Sequence, residues 1–293
     1  MFKVAFRSFV LVFFTSACAM LGQVPPTLIP TSIDAHLLLE AASPAQRQTL
    51  KAIYLIECPP ASIAGTGFVL DSGVLVTNSH VVATCDETNL IAITPADQQI
   101  TFVRVIKDPA RDLAVLVPKN AMAHGLRLAK KDNPEPGTPV ATWGYPLLYN
   151  GTTPLLSVGY VSGFRCAAFQ DGKPEVKRIV VNGAFNHGNS GGPLLNSQSE
   201  EVIGVVVMTF HFYPAQVRLF IDTLLKSRGG YSEWSFKKAD GTEVQLLEPQ
   251  LTGLVLDEFY QKTQVMIGEA VSGSELKGML KEHSSELVRK TTQ

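Results

Sequence analysis

The residue types best suited to chemistry in this chain surround Ser190, in a polar, glycine-rich turn. The turn covers residues 186–193 and separates the apolar runs 179–181 and 193–195. A serine hydroxyl is a weak nucleophile until a nearby base takes its proton. Gly188 has no Cβ, so its backbone N–H can lie beside that of Ser190 and face the same oxygen atom. The turn therefore combines a candidate nucleophile with a candidate oxyanion hole.

A candidate base and a candidate acid precede this serine, each where an apolar run meets a loop. His80 ends a predicted buried strand that begins at Val74, and Asp112 begins another that covers 113–117. Histidine suits the role of base because its unperturbed pKa, about 6.5, lies near neutral pH. An aspartate beside it fixes its tautomer and stabilises the imidazolium. Each residue alone has an ordinary structural interpretation, but the three together, in the order His80, Asp112, Ser190, favour an acyl-transfer triad.

The elements that must position these residues are strands. From Lys51 onward, short apolar runs are broken by Gly, Pro, Asp and Asn, a pattern typical of an all-β barrel or sandwich. A hairpin is predicted over 65–77, and it leads directly into His80. The segment 214–228 predicts an amphipathic helix, and a second helix is predicted after the capping box at 272–275.

Composition and charge exclude several classes of function. The chain has 293 residues, of which 45% are hydrophobic, enough for one large or two small domains. With 25 Lys and Arg against 26 Asp and Glu, the formal net charge is -1, so no global field attracts nucleic acid or an anionic membrane. No C-x-x-C or H-x-x-x-H spacing indicates a metal site, and no cofactor is predicted.

The first 19 residues predict export from the cytoplasm. Lys3 and Arg7 precede the apolar run 9–14, which small residues follow at 16–19, as in a secretory signal peptide. The run is short for a membrane span. Cleavage at Ala17-Cys18-Ala19 gives a periplasmic or secreted protein. Lipoprotein processing at Cys18 and an uncleaved anchor remain as alternatives.

The pattern around Ser190 also fits a competing motif. Residues 188–192 match G-x-S-x-G, the nucleophile elbow of α/β-hydrolases, in which the acid and the histidine follow the serine and a helix begins at once. Here the segment 193–196 resembles a strand. His211 and His283 are the only histidines that follow, and neither comes after an acid in a convincing loop. The elbow interpretation is therefore disfavoured.

Three motifs together resemble the trypsin-like serine proteases, and especially the bacterial HtrA/Deg branch. They are T-N-S-H-V-V around His80, D-P-A-R-D-L-A-V-L around Asp112 and G-N-S-G-G-P-L-L-N around Ser190. The resemblance extends from about Gly65 to Arg228. Three separate motifs in the same order are far more specific than any one of them.

This resemblance implies an all-β, chymotrypsin-like fold of two six-stranded-type antiparallel β-barrels, with a C-terminal helix and a short α/β tail. The implied protease domain covers 50–228, with barrels at about 50–118 and 139–212, and its C-terminal helix is the segment 214–228. A linker and short helix at 20–49 precede it. The extension 229–293 has no assigned role, since it is short for the PDZ module that HtrA proteases usually carry.

The resemblance also assigns roles to residues. His80, Asp112 and Ser190 form the triad, and the N–H groups of Gly188 and Ser190 form the oxyanion hole. Asp112 is preferred to Asp108 because Leu-Ala-Val-Leu follows it directly, as in the family. The substrate pocket contains no carboxylate, which favours a small or medium apolar residue before the scissile bond; its residues are Ala184, Phe185, Val207, Met208 and Thr209.

A disulfide beside the catalytic histidine is common in trypsin-like folds. The resemblance therefore implies that Cys58 pairs with Cys85, which leaves Cys166 unpaired once Cys18 is removed. The function expected is that of an exported serine endopeptidase acting on polypeptides. Two alternatives stay open, a catalytically silent module that binds peptides or a protein, and an esterase. The oligomeric state is not predicted.

Overall fold

A computed structural model provides the structure of this chain. It describes residues 35–61, 63–122, 124–131, 133–146, 153–167, 175–209, 215–230, 232–237, 242–262 and 266–287. The predicted signal peptide and much of the predicted linker 20–49 lie outside these residues. Across the described part of the chain, no helix has both the length and the apolar character needed to cross a membrane.

Two short helices precede the first strand, α1 (Ala35–Ala41) and α2 (Pro44–Lys51). A capping box begins α2, because Ser43 Oγ accepts from the Gln46 N–H while Gln46 Oε1 accepts from the Ser43 N–H. The buried Leu50 anchors the helix to the core. The short helix predicted within 20–49 corresponds to α1, and α2 is an additional helix that extends beyond that segment.

The first sheet is antiparallel and curls into a barrel-like form. Among the described residues it has seven strands: β1 (Ile53–Cys58), β2 (Ile63–Val69), β3 (Leu75–Thr77), β4 (Ile91–Ile93), β5 (Gln99–Ile100), β6 (Phe102–Asp108) and β7 (Leu113–Pro118). Their order is β5-β4-β1-β2-β3-β7-β6. The outermost strands β5 and β6 are separated only by Thr101. The two edges of the sheet must therefore meet, and β5 with β6 corresponds to one bent strand.

The second sheet closes completely, in the order β10-β15-β12-β11-β8-β9. Its strands are β8 (Pro139–Gly144), β9 (Leu155–Ala167), β10 (Val176–Gly183), β11 (Pro193–Asn196), β12 (Val202–Thr209) and β15 (Ile267–Ser272). These two sheets agree with the predicted pair of barrels.

The boundary of the second barrel differs from the one drawn from sequence. The predicted barrel ended near residue 212, whereas its closing strand β15 comes from the extension 229–293 and pairs with both β10 and β12. Sequence reasoning missed this strand because Gly268 and Glu269 interrupt its apolar run.

A separate unit lies between β12 and β15 in the chain. It consists of α3 (Ala215–Leu225), the hairpin β13 (Glu233–Lys237) with β14 (Glu243–Leu247), and α4 (Glu248–Lys262). The helix predicted at 214–228 is therefore an inserted element, and not the helix that ends the barrel domain. That position belongs to α5 (Gly273–Glu282), which follows β15 directly and leads into α6 (Ser284–Leu287).

The helix α5 ties the two barrels together through the core. Leu276 and Met279 of α5 are fully buried, in one cluster with Phe68 and Val115 of the first sheet and Val205 of the second. Arg104 of β6 donates to the Glu286 carbonyl oxygen of α6. The C-terminal segment thus contacts both halves of the fold, and the relative position of the barrels depends on it.

Candidate active site

His80 begins a single 3-10 turn, His80–Val82, directly after the end of β3. Val81 is buried in this turn and packs against β2 at Gly65, where an added Cβ would lie 2.8 Å from Val81 Cγ2. The same Cβ position lies 3.1 Å from the carbonyl oxygen of Ser190. The glycine thus lets the histidine turn and the serine turn approach each other across the two barrels.

Asp112 holds the His80 ring by two contacts. His80 Nδ1 lies 2.8 Å from Asp112 Oδ2 and 3.1 Å from Oδ1, and the His80 backbone N–H donates to Oδ1 at 3.0 Å. The Asp112 side chain is 7% exposed, whereas that of His80 is 47% exposed. The carboxylate is therefore enclosed, whereas the ring that it contacts is about half exposed.

The backbone of Asp112 has an unusual conformation. Its φ is 57°, in the left-handed region that residues with a Cβ rarely occupy. Asn78 Nδ2 donates to the Asp112 carbonyl oxygen at 2.9 Å and holds the chain there. In this conformation the carboxylate contacts both the backbone N–H and the ring of His80.

The serine turn depends on glycines with positive φ, 98° at Gly188 and 86° at Gly191. At Gly191 an added Cβ would lie 2.1 Å from Thr66 O and 2.2 Å from Thr77 Oγ1, so no other residue fits. The N–H groups of Gly188 and Ser190 donate no hydrogen bond to any described residue. Both donors are therefore available to an oxyanion.

Ser190 is buried, and its hydroxyl donates to the carbonyl oxygen of Val207 in β12. Among the hydrogen bonds of the described residues, none joins it to His80. The structure therefore brings His80 and Asp112 together and places the Ser190 turn against the histidine turn. The described hydrogen bonds thus join the serine hydroxyl to β12 and the histidine ring to Asp112.

Thr66 connects the parts of the site. Its hydroxyl donates to Gly188 O at 2.6 Å and accepts from the Tyr145 N–H at 3.0 Å, and its own N–H donates to Ser190 O at 2.8 Å. Its carbonyl oxygen accepts from Thr77 Oγ1 at 2.7 Å. One fully buried residue of the first barrel thus holds the serine turn of the second.

Residues 65–205 match the model of the trypsin-like peptidase domain family. The chain contains a trypsin-like peptidase domain. This result confirms the resemblance inferred from the three motifs, and the two barrels confirm the predicted fold class.

Several curated relatives are similar to the part of the chain around this domain. It is 35% identical over 148 residues to the putative serine protease HhoA of Synechocystis, covering 48% of this chain and 36% of that protein. It is 34% identical over 205 residues to the chloroplastic protease Do-like 1 of Arabidopsis thaliana, with coverages of 65% and 44%. It is 35% identical over 151 residues to the probable periplasmic serine endoprotease DegP-like of Chlamydia pneumoniae, covering 49% of this chain and 28% of that protein. The chain spans less than half the length of these relatives.

The fold is also similar to that of a solved protease. The structure of the Rv3671c protease from M. tuberculosis in its active form superimposes with a TM-score of 0.54 at 20% identity, over 81% of this chain and 83% of that one. At this level of identity the likeness extends to the fold alone.

The pocket residues predicted for the peptidase domain are only partly described. Val207 and Phe185 are buried, and Ala184 is half-buried. The Phe185 ring lies against β15, where an added Cβ on Gly268 would be 2.2 Å from its Cδ2 atom. The side chains of Met208 and Thr209 lie outside the described residues.

Cys58 and Cys85 form a disulfide, with an S–S distance of 2.06 Å. The bond joins the end of β1 to the loop that follows the His80 turn, and Lys107 Nζ donates to the carbonyl oxygens of Ala83 and Cys85 in that loop. Cys166 is exposed on β9. Within the described ranges, no cluster of His, Cys, Asp and Glu is suited to a metal ion.

Sequence reasoning missed Thr66 and Asn78 as parts of the site. Both are polar residues that are 0% exposed, at positions where the surrounding strands are apolar. A buried polar side chain is retained where it satisfies other buried polar groups. The sequence signal for both is a polar residue next to apolar strand residues, in G-T-G for Thr66 and in T-N-S-H for Asn78.

Replacing Thr66 with valine should loosen the serine turn. The change removes the hydroxyl and leaves Gly188 O and the Tyr145 N–H without their partner, which should lower the free energy of unfolding by about 1–3 kcal/mol. Urea unfolding and the rate of labelling by a fluorophosphonate measure the two effects. Thr66→Ser, which keeps the hydroxyl, is the matched control. Equal stability and equal labelling of the two variants would show that this junction does not matter.

Proposed function

We propose that this chain is a serine endopeptidase that uses His80, Asp112 and Ser190. The observation that carries the proposal is the hydrogen bond between His80 Nδ1 and Asp112 Oδ2, in which the half-exposed ring turns its other nitrogen, Nε2, away from the carboxylate. With Nδ1–H donating a hydrogen bond to Asp112, the neutral ring keeps a lone pair on Nε2, which can act as a base. The adjoining turn contains the Ser190 hydroxyl and the backbone N–H groups of Gly188 and Ser190.

In this mechanism the Ser190 hydroxyl leaves the Val207 carbonyl oxygen and turns toward His80. His80 accepts its proton as the oxygen attacks the substrate carbonyl, and Asp112 stabilises the imidazolium that results. The N–H groups of Gly188 and Ser190 bind the oxyanion. His80 then gives the proton to the leaving amine, and water hydrolyses the acyl-enzyme by the same steps in reverse.

The proposed specificity is for a small or medium apolar residue before the scissile bond. The pocket assigned by resemblance consists of residues 184–185 and the end of β12, at 207–209. Phe185 is buried and its ring lies against Gly268 of β15. No carboxylate occurs among the proposed pocket residues to bind Lys or Arg.

Export is part of the proposal. The segment 1–19 has the three regions of a signal peptide. The disulfide between Cys58 and Cys85 is suited to an oxidising compartment such as the periplasm. Two of the curated relatives carry the word periplasmic in their names.

Cleavage of an unfolded protein mixture tests this function. The full chain without residues 1–19 should cut reduced, alkylated casein, and mass spectrometry of the new termini should show Ala, Val, Ile or Leu before most cut bonds. A majority of cuts after Lys or Arg would contradict the proposed pocket. Hydrolysis of small esters without any cleavage of casein would indicate an esterase. The absence of both activities would indicate a silent binding module.

A further inference from the structure

Arg111, the residue immediately before Asp112, is bound by three carboxylates. Its Nη1 atom lies 2.7 Å from Asp108 Oδ2, and its Nη1 and Nη2 atoms lie 2.8 and 2.7 Å from the two oxygens of Glu282. Its Nε atom lies 3.3 Å from Glu275 Oε2. The hydrogen bond from Arg111 lowers the pKa of Glu282 below its ordinary value. A planar guanidinium held bidentately in this way has a fixed orientation.

Two of these carboxylates belong to α5, the helix that follows the closing strand of the second barrel. The buried Leu276 and Met279 fix α5 in the core. Glu275 also accepts from the Lys177 N–H of β10 at 3.1 Å, so one carboxylate contacts both barrels. The guanidinium also lies close to the backbone of α5, since an added Cβ on Gly278 would be 3.8 Å from Arg111 Nη2, an ordinary contact distance.

The conformation that Arg111 supports is an unfavourable one. Asp112 has a left-handed backbone, and the turn before it is closed by Asp108 Oδ1, which accepts from the N–H groups of Ala110 and Arg111. Asp108 therefore shapes the turn and also binds the Arg111 side chain. A strained backbone of this kind persists only when the surrounding structure over-determines it.

We infer that Arg111 is a positioning residue, which holds the carboxylate of Asp112 against His80 by fastening its loop to α5. The inference rests on the proposed function of His80, Asp112 and Ser190. Loss of the guanidinium lets the loop relax toward an ordinary backbone and withdraws the carboxylate from the ring. A displacement of about 1 Å at a reacting group can lower a rate by about 10²-fold. The C-terminal helix is thus part of the support of the site.

Fluorophosphonate labelling of the full chain without residues 1–19 tests this inference. Arg111→Ala should lower the limiting rate of labelling at saturating probe by between about 10-fold and 10²-fold. The probe concentration at half-maximal rate should not change, because the pocket is intact. Arg111→Lys keeps the charge but not the bidentate contact and should restore part of the rate. Lys277→Ala, which removes a half-buried side chain of α5 that donates to Lys130 O, is the matched control and should label as the unaltered chain does.

A second variant covers the case in which Arg111→Ala does not fold. Glu282→Gln removes the charge of one exposed partner of Arg111 and should lower the limiting rate by only about threefold, because an exposed ion pair contributes little. The inference is overturned if both variants fold and label at the rate of the unaltered chain, or if the loss appears only in the half-maximal concentration. Absence of labelling in the unaltered chain would instead contradict the proposed function.

Discussion

Ser190→Ala should abolish the cleavage of casein while leaving the chain folded. In a serine protease of unrelated fold, removal of the nucleophile lowers kcat by about 2 × 10⁶, because no other group can form the acyl-enzyme. The same loss is expected here, since the proposed mechanism passes entirely through the Ser190 oxygen. Cleavage is measured by gel electrophoresis over several days at micromolar concentration.

The thermal midpoint separates this loss from unfolding. The substitution removes a single side-chain hydrogen bond, that to Val207 O, and a typical hydrogen bond contributes about 1 kcal/mol. The midpoint should therefore change by only a few degrees. Ser197→Ala, in the turn that follows β11, is the matched control and should retain full activity. Full activity of Ser190→Ala would rule out Ser190 as the nucleophile.

A chain that ends at Lys262 should fail to form a stable second barrel. It lacks β15, which pairs with β10 on one side and β12 on the other, and it lacks α5. Val271, Leu276 and Met279 are all 0% exposed, and burial of three such side chains contributes roughly 5 to 9 kcal/mol. This equals much of the whole stability of a domain, about 5–15 kcal/mol.

The truncated chain is compared with one that ends at Leu287 and keeps every described element. Unfolding in urea is monitored by tryptophan fluorescence. The longer chain should show a cooperative transition, and in the shorter chain the transition should be absent or shifted to very low urea. The shorter chain should also lack activity. A cooperative, active chain ending at Lys262 would show that the barrel does not need its sixth strand.

Sequence reasoning was most successful where local patterns determine the structure. The hairpin that leads to His80 and the glycines of the serine turn are local features, and the structure contains both. The family was also identified correctly, because three separate motifs occur in one order. The assignment of catalytic roles to His80, Asp112 and Ser190 stays a prediction.

Sequence reasoning was weakest where contacts join distant segments. The strand β15 follows β12 in the barrel but is separated from it by an inserted unit of helices and a hairpin, so no local pattern shows that they pair. Likewise, Arg111 and Glu282 are 171 residues apart in the chain. Their contact forms because α5 packs against the turn between β6 and β7 that contains Arg111. The sequence correctly predicts the helix at 215–225, but the resemblance assigns it to the end of the barrel domain, where the structure has α5.

The most direct test is to map the residue that a fluorophosphonate modifies in the folded chain. The central claim is that His80 and Asp112 make the Ser190 hydroxyl a nucleophile. Peptide mapping by mass spectrometry should find one adduct, on Ser190, and none after denaturation in urea or in the His80→Ala variant. An adduct on a different serine, or no adduct on the folded chain, would contradict the account.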